Sequence, residues 1–269
     1  MDASAKSLTR NEGGARHWSA PSEALLTASD GVRIHAEYLP PEGPGTGVAV
    51  VLAHGFSGAL ERPAVRRTAA VLARRMGVVS FSFRGHGRSE GLSTVGDREV
   101  LDLDAAVGWA RSLGFRRVVT LGFSMGGAVV IRHAARYGGV EAVAAVSAPA
   151  RWYYRGTVPM RRLHWVVMRP MGRVVGRLGL RTRIDPREWA EVPEPPVDAA
   201  AQLALRGIPL LVVHGDSDPY LPLDHPRSLH AAAGPGRSEL WIVPGFGHAE
   251  NSATEPLIER VGEWLDGAR

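Results

Sequence analysis

Three side chains, far apart along the chain, carry the residue types that nucleophilic catalysis needs. Ser124 stands in Gly122-Phe123-Ser124-Met125-Gly126, Asp218 in Gly215-Asp216-Ser217-Asp218-Pro219, and His248 in Pro244-Gly245-Phe246-Gly247-His248. A serine hydroxyl attacks efficiently only when a base within hydrogen-bond reach takes its proton, and that base needs an acid to orient it. The serine pattern fits a G-x-S-x-G elbow, where the nucleophile sits on a tight, strained turn between strand and helix. Glycines at its flanks spare the doubled-back chain a side-chain collision. Alone, so short a pattern also fits a glycine-rich turn with an incidental serine. The order serine, acid, histidine, with acid and base each on a loop where a strand ends, is far more specific.

Within these loops there are choices. Asp218 and Asp216 compete for the acid role; Asp218 is favoured by its later loop position and by Pro219 after it, which leaves Asp216 to stabilise the turn. His248 is preferred to His225 and His230, which fall on a predicted helix over 223–232 and read as surface residues. His54, in His54-Gly55-Phe56-Ser57-Gly58, reads as a loop fastener rather than a base. An oxyanion formed on attack needs two preorganised donors. The Met125 N–H, directly after the serine, supplies one, and the Phe56 N–H the other. Asp102 and Asp104 cannot share a helix face and read as solvated surface groups. No histidine has metal-ligand spacing, no lysine beyond Lys6 is available for a phosphate loop, and Gly85-x-Gly87 lacks the helix and third glycine of a dinucleotide site.

The elements that must hold these residues alternate. Strands are predicted at 24–27, 32–39, 48–53, 78–83, 117–123, 140–147, 210–214 and 240–243. Helices are predicted at 63–76, from Val100 to near Gly114, at 125–137, and at the C-terminal stripe of Leu257, Ile258, Val261, Trp264 and Leu265. Such alternation argues an α/β fold, a mostly parallel sheet with helices on both faces. Residues 1–17 read as a disordered lead-in, 18–149 and 207–269 as the two parts of the core, and 150–206 as an insertion of the kind that forms a lid.

Composition narrows the classes of function. With 269 residues the chain can bury a large core, and with no cysteine it has no disulfide, thiolate or iron–sulfur chemistry. A polar start without an apolar stretch, and no apolar run long enough to span a bilayer, lead us to expect a cytoplasmic protein without stable membrane insertion. All basic residues but Lys6 are arginine, as a GC-rich coding sequence would produce. Ten of them lie between Arg151 and Ala190 against only Asp185 and Glu188, so the rest of the chain is net acidic. No nucleic-acid motif accompanies that segment. Its aromatics, Trp152, Tyr153 and Trp165, suggest a substrate-binding wall. Its arginines fit an anionic substrate, a carrier protein or a membrane surface, and equally a plain solvated face.

Taken together, His54-Gly55-Phe56, Phe83-Arg84-Gly85-His86-Gly87-Arg88-Ser89, Gly122 to Gly127, His214 to Asp218 and Gly247-His248 resemble the α/β-hydrolase superfamily. The likeness is to its lidded esterase, lipase and serine-aminopeptidase-like group, and it extends from about Ala24 to Leu265. The resemblance implies an eight-stranded sheet with an antiparallel second strand, a helical lid insertion, and a loop at Arg84 to Ser89 near the site. It matches Ser124, Asp218 and His248 to nucleophile, acid and base. The activity implied is cofactor-free cleavage of a carboxylic ester or thioester of a small acyl substrate through an acyl-enzyme. The alternative is non-hydrolytic use of the same groups, in elimination, cyclisation or acyl transfer. Oligomeric state is not legible.

Overall fold

A computed structural model of the chain describes residues 21–234 and 236–268. The disordered lead-in expected over 1–17 lies outside the described residues.

Eight strands form one sheet: β1 (Ser22–Thr27), β2 (Arg33–Leu39), β3 (Val48–Ala53), β4 (Gly77–Phe81), β5 (Arg117–Phe123), β6 (Val143–Val146), β7 (Leu210–Gly215) and β8 (Ser238–Val243). Their order across the sheet is β1-β2-β4-β3-β5-β6-β7-β8. β2 runs antiparallel to both β1 and β4, and every other pair is parallel. The sheet's centre is apolar because it is covered twice. Every residue of β3 is buried, with Ala49, Val51 and Ala53 in one core and Val48, Val50 and Leu52 in the other. Period-2 alternation thus sends one strand's side chains into two separate layers.

The first core receives α2 (Glu99–Ser112) and α3 (Met125–Tyr137), and the second receives α1 (Pro63–Ala73) and α9 (Glu255–Gly267). The stripe Val100, Leu103, Val107 and Ala110 is buried as its spacing predicts. α1 stops at Ala73 rather than at 76. Gly77 already begins β4, packed so closely that a Cβ there would stand 2.3 Å from the Phe115 ring, so the chain must turn earlier.

Between β6 and β7 the chain makes its long excursion, with a helical hairpin of α4 (Val158–Met168) and α5 (Pro170–Leu178), and then α6 (Pro196–Arg206). α6 buries Ala199, Ala200 and Leu203 in the first core, so the end of the excursion is layered on the sheet like the other crossover helices. α4 has no fully buried residue. A main-chain seam holds the hairpin's far end: Arg183 N–H donates to the Gly85 carbonyl at 2.8 Å, Ser93 N–H to Arg183 at 2.7 Å, and Asp185 N–H to Ser93 at 2.9 Å. The remaining helices are α7 (Asp224–Ala233) and the short α8 (Ala249–Ser252).

Two surface readings are corrected. Asp102 is fully buried, and its carboxylate takes the Arg84 main-chain N–H at 2.8 Å and the Arg84 Nη2 at 2.7 Å. Asp30 holds the other side of the same guanidinium, at 2.7 Å from Nη1. Sequence spacing placed Asp102 on the right helix but could not show that a distant arginine waits inside. His225 is likewise buried, and its Nδ1 accepts the Ala150 N–H at 3.0 Å. That bond fixes the point where the excursion leaves β6.

Removing Asp102 leaves the buried Arg84 main-chain N–H and Nε without their acceptor and the guanidinium with Asp30 alone, and breaking a buried pair on one side is strongly destabilising. Asp102→Ala should therefore lower unfolding free energy in urea by about 3–5 kcal/mol. A change under about 0.5 kcal/mol, the range of ordinary surface substitutions, would contradict this account.

Candidate active site

Backbone crowding places Ser124. A Cβ on Gly122 would stand 2.2 Å from the Gly126 carbonyl oxygen, and one on Gly126 would stand 2.4 Å from that of Ala53. β5 can therefore turn straight into α3, and Ser124 sits at the corner with φ +50° and ψ −115°. Such a conformation costs a side-chain-bearing residue about 1–3 kcal/mol and persists only when its surroundings enforce it. Here the Ser124 N–H is fixed to the Val146 carbonyl at 2.8 Å.

The loops after β7 and β8 meet this corner. Ser124 Oγ donates to His248 Nε2 at 2.9 Å, and His248 Nδ1 donates to Asp218 Oδ2 at 2.7 Å. The two loops touch through main chain, since a Cβ on Gly215 would stand 1.8 Å from the Phe246 carbonyl oxygen. Beyond the histidine, the Ala249 N–H donates to Ser147 Oγ at 3.1 Å, tying that loop to the end of β6. Asp218 is buried, which by itself raises a carboxyl's pKa. The bond and charge of His248 and the N–H groups of Tyr220 and Leu221 on Oδ1 outweigh burial and hold it below the usual range. Asp216 accepts the Gly245 N–H at 2.7 Å, bracing one loop against the other.

His54 is fully buried, with both ring nitrogens engaged. Nδ1 donates to the Gly55 carbonyl at 2.7 Å and Nε2 accepts the Phe83 N–H at 3.0 Å. Burial and the neighbouring His86 lower its pKa to about 3, so it is a neutral fixture of the loop. His86 Nε2 lies 2.8 Å from the Phe56 carbonyl oxygen, linking that loop to the one at Arg84 to Ser89. The N–H groups of Phe56 and Met125 meet no acceptor among the described residues, and both residues line the cavity over Ser124.

This cavity, about 780 Å³, lies between the hairpin and the C-terminal ends of the strands. Trp152 and Tyr153 line it, as expected of the aromatic wall. Trp165 does not. It is exposed on the far side of α4, whose inward face instead offers Met160, Leu163 and Val166. The apolar alternation of α4 is too weak in sequence to say which face turns in. Two further residues escaped notice. Tyr220 lays its ring 4.5 Å from that of His248, centroid to centroid. Glu250 is buried beside the site, accepting the Gly55 N–H on Oε1 at 3.0 Å. Their nearness in sequence to Asp218 and His248 was the available signal. Among the described residues no three His, Asp or Glu side chains are grouped to hold a metal ion.

Residues 46–196 match the family model described as serine aminopeptidase, S33. The chain is 30% identical to a monoacylglycerol lipase of Mycolicibacterium smegmatis, over 92% of this chain and 98% of that protein. Among solved structures it resembles the Pyrococcus furiosus esterase Pf2001, with a TM-score of 0.72 at 22% identity, covering 97% of this chain and 96% of the other. It also resembles the α/β hydrolase GrgF from a Penicillium species, with a TM-score of 0.72 at 18% identity over 93% and 99%.

Burial raises the Glu250 carboxyl's pKa above its ordinary value. The folded state then holds its proton more tightly than the unfolded chain, so this contribution weakens folding as pH rises through that raised value. Glu250→Gln keeps an acceptor for the Gly55 N–H and removes the titration. Its stability relative to the parent should be greatest near neutral pH and shrink on acidification, in urea unfolding at several pH values. A difference that does not vary with pH would refute the assignment.

Proposed function

The chain belongs to the α/β-hydrolase family described as serine aminopeptidase, S33, and from that premise we propose that it cleaves carboxylic esters with an apolar acyl chain through an acyl-enzyme on Ser124. The observation that carries this reading is the continuous hydrogen-bonded line from Asp218 through His248 to Ser124 Oγ. His248 Nε2 takes the hydroxyl proton as Oγ adds to the ester carbonyl. The carboxylate of Asp218 holds the imidazole in the required tautomer and balances the positive charge that develops on it. The resulting oxyanion is met by the free N–H groups of Phe56 and Met125, one from the loop after β3 and one from the first turn of α3. Collapse of the tetrahedral species expels the alcohol, which leaves with the proton from His248. Water then repeats the sequence on the acyl-enzyme and releases the acid. Tyr220, packed on the imidazole, restricts its rotation between these steps.

The acyl group is assigned from the wall of the cavity. Met160, Leu163, Val166 and Leu180 offer an apolar surface above Ser124, and the relative in Mycolicibacterium smegmatis is a monoacylglycerol lipase. A lipid mono-ester fits both facts. In this reading the insertion over 150–206 acts as the lid, and its residues on α4 and at Leu180 that line the cavity set acyl length.

Ser124→Ala should reduce hydrolysis of a p-nitrophenyl ester by at least about a thousandfold with unchanged circular dichroism, and Asp218→Asn should cost roughly 10⁴-fold in kcat. Retention of activity in Ser124→Ala would overturn the role of that serine. For the acyl pocket, kcat/KM should rise roughly two- to fourfold per methylene as the ester lengthens from acetate. Val166→Trp, which fills the wall, should lower kcat/KM for long esters about tenfold while sparing acetate. A flat chain-length profile would remove the pocket assignment but leave the serine chemistry standing.

A further inference from the structure

The outward face of α5 contradicts the usual rule for amphipathic helices. Met171, Val174, Val175 and Leu178 recur at i, i+3, i+4 and i+7, the stripe that normally packs against a core. Here they are 66%, 47%, 46% and 76% exposed. The side turned inward carries glycine instead. A Cβ on Gly172 would stand 2.1 Å from the Trp165 carbonyl oxygen, and one on Gly176 would stand 3.0 Å from Ile184 Cδ1. The two glycines let α5 lie close against α4 without using its large apolar side chains, which are left facing solvent.

Charge says what covers them. From Arg151 through Ile184 there are nine arginines and no aspartate or glutamate. Arg169, directly before the first turn of α5, and Arg177, in its last turn, are both exposed. Beside it, Arg161 of α4, Arg155 before that helix and Arg169 after it gather with the exposed Trp165 and with Glu188 round one surface depression. A second copy pressed against this face would set arginine against arginine with only Glu188, at the edge of that depression, to pair. A partner that is apolar within and anionic at its surface satisfies both features at once. An amphipathic helix with arginines at its two ends, and an indole near the level of the headgroups, has the chemistry of a helix lying in a lipid interface.

We propose that α5 docks the protein on an anionic lipid surface, with Met171, Val174, Val175 and Leu178 entering the acyl layer and the flanking arginines meeting the headgroups. No helix among the described residues is long and apolar enough to cross a membrane, so the attachment is peripheral. α4 both lines the cavity over Ser124 and packs against α5, so the docking face belongs to the hairpin that covers that cavity. The docking itself does not depend on the chemistry proposed for Ser124.

Flotation of the Ser124→Ala protein with lipid vesicles tests the docking without consuming lipid. With phosphatidylcholine vesicles containing phosphatidylglycerol, binding should exceed that to phosphatidylcholine alone by roughly tenfold or more, and it should fall steeply at high salt. Val174→Glu with Leu178→Glu should abolish flotation, and Arg169→Gln with Arg177→Gln should weaken it. In the Ser124 parent, both pairs should leave hydrolysis of a soluble p-nitrophenyl ester unchanged. Equal binding to neutral and anionic vesicles, binding to neither, or flotation indifferent to Val174→Glu with Leu178→Glu would overturn the proposal. So would a concentration-dependent dimer in light scattering that Leu178→Glu dissolves while vesicles remain unbound, which would assign the face to a second copy.

Discussion

Two backbone segments pass within van der Waals contact at the end of β5, and the site depends on that approach. The space beside residue 122 is filled by the main chain of residue 126, and the space beside residue 126 by the carbonyl of residue 53. With no side chain at either position, the strand enters the helix without an intervening loop. Ser124 is left in a left-handed conformation that it would not adopt in a free peptide. The same closeness brings the loop after β3 against the first turn of α3. Two N–H groups without a partner among the described residues, from residues 56 and 125, therefore border one cavity. The placement of Ser124 and of these two N–H groups is thus the consequence of a single packing constraint rather than of three separate ones.

Polar groups buried around this corner hold it rigid. His54, His86 and the Arg84–Asp102 pair lie in a chain of bonds that fasten the loop after β3 to the loop after β4. Burying them is costly unless each finds a partner. Arg84 uses its main-chain N–H and its guanidinium on one carboxylate, which fixes both the loop's path and the side chain's direction. Rigidity is what an oxyanion site requires, because donors that must reorient at the moment of reaction lose much of their effect.

The elements whose residues answer to local rules were readable in sequence. The apolar run of β3, the stripe of α2 and the elbow pattern at Ser124 all follow from periodicity or from glycine's freedom, and the strands fall within a few residues of where patterning puts them. Asp218 and His248 could be placed together because each follows a strand directly and the sheet's polarity sends both loops to one rim. What escaped depends on distant partners. Asp102 looks like any helix-surface aspartate until Arg84, from another loop, is brought to it. His225 looks exposed until Ala150 donates to it. Trp165 and Leu163 lie on the same short helix, and choosing between them requires knowing which side meets the sheet. The aromatic contact of Tyr220 and the buried carboxyl of Glu250 arise from tertiary packing and have no periodic signature.

The seam that fastens the hairpin to the core is made of peptide groups. Arg183, Ser93, Asp185 and Gly85 meet there through N–H and carbonyl, and only Gly85, where a Cβ would stand 2.4 Å from the Arg183 carbonyl oxygen, needs a particular residue type. The seam leaves the residue types at 183 and 185 free to vary, whereas the rest of the hairpin is held by packing: Leu163, Val166 and Ile184 meet the first core, and Gly172 admits the Trp165 carbonyl. The edge of the covering hairpin can thus change residue type while its path across the rim stays fixed by the main chain.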